Sequence, residues 1–411
     1  MRFISSYAFP FFFLVNLFAS EIFGCYLSIN EITVSSGMLQ KLFIVISFIS
    51  YLILIRDLIK GYNLRGYIRV ITILLVILVF MSVTQLFYYS IPPTYIAAIL
   101  YFGSISVASS ISGAHVASYP LTFTKIDKLF PAFIVPIGMI ISTIGYASAL
   151  KNGLVKTDSG LDYQNVSYYC AEFVAYGAYY ILFSTAKGFT SYKFFKWPVI
   201  ITCFICALMC FMSGGRGGVV LLAVFAIVLL FELKYTHRIK FGHIIRLICG
   251  IIVVFALIAN YLDLWNTDGF NRVSTRIGTD SIRSSLHAQS WQIFLDSYGL
   301  GCGLGSIWMN LGIYSHNIFY DLFAESGIFG FVIVTIGIIK VLVSLFKWSR
   351  INIGCLLLLL IFLKGFVLTL FSGYWLNTYQ IWFGVGFVFA IYSPQILISS
   401  KSSCLVKRKS V

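Results

Sequence analysis

The chain has 411 residues, of which 59% are hydrophobic and 10% charged, and Lys and Arg outnumber Asp and Glu by 29 to 14. A soluble domain is about 45–50% apolar and about 25% charged, so this chain has too little polar surface to enclose its apolar side chains in water. Disorder is excluded as well, because 39 Phe and 26 Tyr belong to residue types that disordered segments lack. What remains is an all-α, polytopic integral membrane protein, a single transmembrane domain over 1–411.

A spanning helix needs about 20 mostly apolar residues. Twelve stretches are read as spans: 3–24, 38–55, 70–90, 95–113, 131–150, 168–186, 197–212, 217–233, 247–262, 318–339, 353–371 and 376–397. The first carries Pro10 and Glu21 and has no small-x-small cleavage site, so it reads as a span and not as a signal peptide. Within the seventh, Cys203-x-x-Cys206 has the spacing of a redox or metal motif. Its apolar surroundings, which include Cys210, favour small residues packed in a helix.

Orientation follows from the basic residues of the short connections. Of the 29 Lys and Arg, 21 cluster at alternate ends of the spans, from Arg2 through Arg56, Lys125, Lys187, Lys234 and Lys340 to Lys409. That side is expected to be cytoplasmic, with both termini inside. The net charge of +15 is then mainly a topology signal, and nucleic acid is not an expected partner. The exceptions stand on the other face: Lys41, Lys151, Lys156, Arg216, Arg272, Arg276 and Arg283, with Lys364 inside a span. Insertion does not require cations there, so a ligand or a structural partner is expected.

The turn Ser213-Gly214-Gly215-Arg216-Gly217-Gly218 precedes the eighth span. Small residues let a ligand approach the backbone, and the following helix N-terminus adds donors and partial positive charge. With Arg216 this would suit a phosphate; the competing reading is an Arg snorkelling at a helix end.

The longest polar stretch, 263–316, lies between the ninth and tenth spans on the expected outer face. Loops of that length are usually functional or disordered, and Trp265, Trp291 and Trp308 suggest a folded one. Within it, 281–297 is compatible with a helix that stacks Arg283, His287 and Trp291 on one face, four residues apart. An interfacial helix with a polar side would look the same. The run Gly299-Leu300-Gly301-Cys302-Gly303-Leu304-Gly305 lacks the strand–turn–helix setting of a nucleotide loop, so it reads as a tight turn or as close backbone packing. The tenth span opens with Ser315-His316-Asn317 and carries Asp321 and Glu325 near the outer surface. Ionisable groups at that depth are costly and usually line a cavity. His316 is therefore the first candidate for catalysis or ligand binding, and His287 is its competitor.

Three pieces occur in order: the glycine-rich Arg216 turn; Arg283 with a ring residue four positions on and Gly301-x-Gly303 eighteen positions on; and Ser315-His316-Asn317-x-Phe319 with Glu325-x-Gly327-x-x-Gly330. In a twelve-span chain with one large late outer loop, this resembles the O-antigen polymerase and O-antigen ligase superfamily over about residues 205–340. The pattern departs from the common one at Tyr298, where Pro is frequent, and at His287, where Trp is frequent.

The resemblance implies an all-helical membrane glycosyltransferase of the bacterial inner membrane. Its substrate would be a glycan on undecaprenyl diphosphate, transferred on the periplasmic face with inversion and without a metal or other cofactor. It implies Arg216 and Arg283 on the diphosphate, with Arg272 or Arg276 as a third cation. It implies His316 as the base toward the acceptor hydroxyl, with Glu325 or Asp321 orienting it. Asn317, His287 and Trp291 would contact substrate, and Trp residues would stack on sugars. A chain-length regulator and a flippase are the implied protein partners. Within the superfamily the polymerase reading is preferred to the ligase. An O-unit flippase is the alternative from another class, although the internal repeats and mid-membrane charges of a transporter are not evident beyond Lys364.

Overall fold

The computed structural model describes residues 2–29, 64–83, 102–118, 121–152, 161–184, 190–237 and 281–391, with shorter pieces within 45–53 and 96–100 and single residues at 42, 242 and 260. Helices account for nearly all of them, and no strand occurs among the described residues. Half of the stretch read as the second span and nearly all of the ninth lie outside the described residues, as do Arg272, Arg276 and Trp265.

The helices are α1 (Arg2–Leu17), α2 (Ala19–Ile29), α3 (Leu64–Val83), a π-helical turn (Phe102–Val107) leading into α4 (Ala108–Ser118), α5 (Leu121–Asn152), α6 (Tyr163–Phe183), α7 (Thr190–Met212) and α8 (Arg216–His237). After them come α9 (Ser281–Asp296), α10 (Ser306–Leu311), α11 (Ile318–Ser349), α12 (Gly354–Phe371), a 3-10 turn (Trp375–Asn377) and α13 (Tyr379–Ala390). Among the described residues six stretches are long and apolar enough to cross a membrane: 98–117, 123–149, 193–212, 216–236, 318–349 and 354–371. Three shorter apolar helices lie at 7–17, 66–79 and 379–390. The described residues thus support an integral membrane protein without yielding the expected count of twelve.

Two helices form the centre of the bundle. In α12 the apolar window is 78% buried inside the protein, against 22% in α11, whose flank faces outward. The other central helix, α6, packs on α5, α7, α8 and α12. It carries six Tyr, and Tyr168, Tyr176, Tyr179 and Tyr180 are fully buried. A helix enclosed by other helices need not be apolar toward lipid, which explains why α6 falls short of the apolarity of its neighbours. Its N-terminus is capped by Asp162, whose side chain accepts from the Asn165 amide.

Close helix contacts rest on small residues, as expected where lipid offers no hydrophobic drive between helices. A Cβ at Gly113 would collide with the Phe383 carbonyl and one at Gly386 with the Ser110 carbonyl, so α4 and α13 meet backbone to backbone. Ser110 donates to the Trp382 carbonyl and Ser106 to the Leu376 carbonyl across the same seam.

At 1.5 Å per residue the 32 residues of α11 would reach about 48 Å, well beyond a hydrocarbon core of about 30 Å. The helix is broken at Gly327, where φ is 62° and ψ −165°. The part after the break is long enough to span the core, and the part before it, with Asp321 and Glu325, forms a cap on the bundle. Replacing Gly386 by Val should force α4 and α13 apart, an overpacking cost of about 1–3 kcal/mol or more. Detergent-solubilised G386V should then show a lower monodisperse yield and a lower melting temperature by size-exclusion chromatography than the parent.

Candidate functional site

The glycine run that follows α9 is a backbone clamp on the α11 break. Gly301 and Gly327 both have positive φ, at 80° and 62°. A Cβ at Gly301 would strike the Gly327 amide, and one at Gly327 the Gly299 and Leu300 carbonyls. The approach is sealed by hydrogen bonds from the Cys302 amide to the Ala324 carbonyl (2.8 Å), Gly303 to Glu325 (2.9 Å) and Ile328 to Gly299 (3.0 Å). The run therefore packs against a helix, one of the two readings its sequence allowed.

Glu325 is fully buried beneath that clamp. Its Oε1 accepts from the Gly305 amide (3.0 Å) and the Tyr374 hydroxyl (2.6 Å), and its Oε2 accepts from the Trp375 indole N–H (3.1 Å). One carboxylate thus joins the loop before α10, the α11 cap and the segment after α12. Asp321, also fully buried, accepts from the Ser315 amide (2.9 Å) and hydroxyl (2.7 Å) through Oδ1. Neither carboxylate touches His316. Asp321 acts on it through the backbone, because fixing Ser315 fixes the residue after it. Asn317 caps α11, its Oδ1 accepting from the Phe319 amide at 3.0 Å.

His316 sits at φ 62°, a left-handed conformation for a residue that has a side chain. Such conformers cost about 1–3 kcal/mol and persist where surrounding structure over-determines them, often at functional sites. The ring packs on Tyr314 at 4.5 Å between centroids. Burial pushes its pKa below the ordinary 6.5; contact with the Ser372 backbone opposes this, and the Arg283 charge adds to it. Nδ1 is buried and has no hydrogen-bond partner, so in a neutral ring it can hold a lone pair ready to take a proton. The Ser372 carbonyl accepts from the Tyr314 hydroxyl (2.7 Å), which burial raises to about 12 and so keeps protonated.

The structure brings Arg283 and His287 to the same place from α9. The Arg283 charge acts on His316, His287, Tyr314 and Tyr168. His287 stacks on Tyr320 with centroids 4.5 Å apart and planes 8° apart, and its ring contacts the Ser315 backbone. Its pKa is lowered too, by burial first and then by Arg283. Trp291, two turns along, packs on Phe294 and Phe323, with 41% of its surface still exposed. Trp308 packs on Tyr314 and Tyr374, inside the cap.

Arg216 is the first residue of α8 and is half-buried. The glycines beside it serve packing more than exposure. A Cβ at Gly217 would overlap the Tyr168 hydroxyl, and one at Gly215 or Gly218 would overlap Ser167. Among the described residues no carboxylate pairs with Arg216.

Tyr168 is the hinge of the arrangement. It abuts the Arg216 turn, lies within reach of the Arg283 charge, and meets the Ser372 hydroxyl at 3.4 Å. It also lines a cavity of ≈ 400 Å³ together with Tyr314 and His316. The cavity runs down to Lys364, seven residues before the end of α12, or about 10 Å into the bundle. Sequence reasoning singled out His316 and both arginines as candidates but not Tyr168, Tyr314 or Ser372, which the structure places beside His316. The available signal was Tyr314 directly before Ser315-His316; nothing marked Ser372, which acts through its carbonyl. No group of three or more metal-ligating side chains occurs among the described residues.

These features define a helical membrane protein with a polar cavity that is lined by His316 and Lys364, with His316 under the charge of Arg283. Residues 201–335 match the family model described as O-antigen ligase, which supports the O-antigen polymerase and ligase superfamily. Members of that family are glycosyltransferase-like enzymes, and the match indicates a polymerase- or ligase-type function. No curated protein matches the chain. The matched segment holds Arg216, Arg283, His287, His316 and Glu325, while most of the cavity lining, all but Tyr314 and His316, comes from outside it.

Replacing Glu325 by Ala should leave the Gly305 amide, the Tyr374 hydroxyl and the Trp375 indole without an acceptor, at about 1–3 kcal/mol for each buried group. Glu325→Gln, which can still accept through one oxygen, should lose less. Thermal unfolding in detergent should rank parent, E325Q and E325A in falling order of stability.

Proposed function

We propose that the protein is an O-antigen polymerase that joins undecaprenyl-diphosphate-linked repeat units at the periplasmic face of the inner membrane, with both termini cytoplasmic. The observation that carries the proposal is the unpartnered Nδ1 of His316 at a polar cavity, under the charge of Arg283, with the cavity residue Tyr168 packed against the Arg216 turn. Guanidinium groups suit a diphosphate because their planar fork matches its oxygens. A neutral imidazole suits a hydroxyl nucleophile.

In this reading the acceptor hydroxyl loses its proton to Nδ1 of His316 as its oxygen attacks the anomeric carbon of the donor sugar. The bond from that carbon to the diphosphate oxygen breaks, and its electron pair leaves with the lipid diphosphate. Charge therefore grows on the diphosphate, where preorganised cations stabilise it most. Arg283 and Arg216 fill that role; Arg272 and Arg276 remain candidates for a third cation. The low pKa of His316 keeps the ring in its proton-accepting form at neutral pH, and Asp321 and Tyr314 hold it in place. His287, Trp291, Asn317 and Glu325 then support the site through packing, helix capping and the clamp. The membrane lipid, a flippase that delivers the substrate and a chain-length regulator are the partners this activity calls for.

Loss of the gene should leave one repeat unit on lipid A-core; a bare core would instead identify a ligase, and carrier retained on the cytoplasmic face a flippase. Removing one charge-assisted contact of about 1.5–3 kcal/mol corresponds to about tenfold to a few hundredfold in rate. Arg216→Ala and Arg283→Ala should each lower polymerisation by that amount at unchanged membrane levels, with Lys a poor replacement. With purified protein and lipid-linked repeat unit, the parent rate should be flat through pH 7 and fall only below pH 6.5, as His316 takes a proton. His316→Ala should be slow and should lack that descending limb. A normal lipopolysaccharide ladder from R216A would remove Arg216 from the site.

A further inference from the structure

The inner part of the cavity is not used by the mechanism above, and its chemistry differs from that of the mouth. Lys364 stands at its floor, 3% exposed, 2.9 Å from Glu21 of α2 and also paired with Glu172 of α6. Two carboxylates surround one ammonium, so no positive charge remains there for an anionic ligand. The walls beside Lys364 carry uncharged polar groups with unsatisfied atoms, although Asn16 donates through Nδ2 to the Ser50 hydroxyl at 3.5 Å. Asn16 is 3% exposed and its Oδ1 meets no hydrogen-bond partner; Tyr379 is 4% exposed and its hydroxyl meets none. The side-chain amides of Asn377 and Gln380 line the same wall and make no side-chain hydrogen bond among the described residues. Buried polar groups are nearly always satisfied, and leaving one unsatisfied carries a desolvation penalty. Several such atoms facing one cavity point to a ligand that brings both donors and acceptors.

We propose that this inner chamber is a sugar subsite that takes an uncharged ring of the glycan, read by Asn16, Asn377, Tyr379 and Gln380, and that it rejects acidic sugars. Amide and phenol groups both donate and accept, as a ring of hydroxyls requires, and tyrosine faces supply apolar contact. A carboxylated sugar would find no free cation there, because Lys364, the member of the cluster that lines the cavity, is already paired with Glu21 and Glu172. The chamber lies about 10 Å below the His316 level, a depth of one to two sugar rings. A glycan seated there would present a neighbouring ring at His316. The inference rests on the glycosyl-transfer reading, and it adds the class of sugar and the residues that select it.

The test uses the full chain in lipid nanodiscs and three probes. They are undecaprenyl diphosphate without sugar, the water-soluble oligosaccharide released from the host's own lipid-linked repeat unit, and the same oligosaccharide with its primary hydroxyls oxidised to carboxylates. The parent should bind the first two and should bind the oxidised form at least tenfold more weakly. The double variant Asn377→Ala, Gln380→Ala should bind the oligosaccharide at least tenfold more weakly while binding the sugar-free carrier as the parent does. Tyr379→Phe, which removes one hydroxyl and little volume, should weaken oligosaccharide binding severalfold and serves if the double variant does not fold. Oligosaccharide binding unchanged in these variants, or absent from a parent that binds the carrier, overturns the sugar subsite and leaves the glycosyl-transfer reading standing. Equal binding of the oxidised form overturns the charge selection. A parent that binds the oligosaccharide but not the carrier supports the subsite and contradicts the diphosphate site.

Discussion

A single buried carboxylate holds the two halves of the site in register. Glu325 accepts hydrogen bonds from the loop before α10 and from the two aromatic residues that follow α12. Without those three donors it would be an isolated charge or acid in a place water does not reach, a costly condition. With them it fixes the α11 cap against the segment that carries Ser372. His316 directly precedes the first element, and its ring contacts the backbone of the second. The orientation of the imidazole is thus a consequence of packing decided more than two turns away along α11.

The same economy of position explains why charged groups survive at membrane depth. The α11 break at Gly327 moves Asp321 and Glu325 into a cap that the glycine run covers, so neither faces lipid. Farther in, Lys364 is reconciled with the bundle by carboxylates from α2 and α6. An ion cluster of this kind is weak evidence for stability, because desolvation offsets much of the attraction. Its location on the floor of a cavity suggests a role in shaping what the cavity admits.

Mouth and chamber divide the work by charge. At the mouth, burial and the Arg283 guanidinium lower the proton affinity of two imidazoles, and the guanidinium would attract an anion. In the chamber the cation is neutralised and the remaining groups are amides and phenols. A lipid-linked glycan has the same division, with a diphosphate at one point and hydroxyl-bearing rings beyond it.

Hydrophobic composition determined membrane residence and helical class, because a backbone in lipid can satisfy its hydrogen bonds only internally and a run of about 20 apolar residues is long enough to cross. Charge placed against the expected bias singled out Arg216 and Arg283, and the Ser315-His316-Asn317 segment was legible because ionisable groups are rare at that depth. Much of the rest was not legible. The Gly217 and Gly218 positions look like a phosphate cradle in one dimension, yet they are shaped by Tyr168 and Ser167 of another helix. Glu325 looks like a partner for a histidine nine residues away, but a helix of that length carries it under the glycine run instead. Only tertiary structure could assemble Asn16, Lys364 and Gln380 around one cavity, since Asn16 stands hundreds of positions from the other two and nothing in their own neighbourhoods links the three. Local sequence sets what each segment can be; which distant polar groups share a low-dielectric space is decided by how the helices pack.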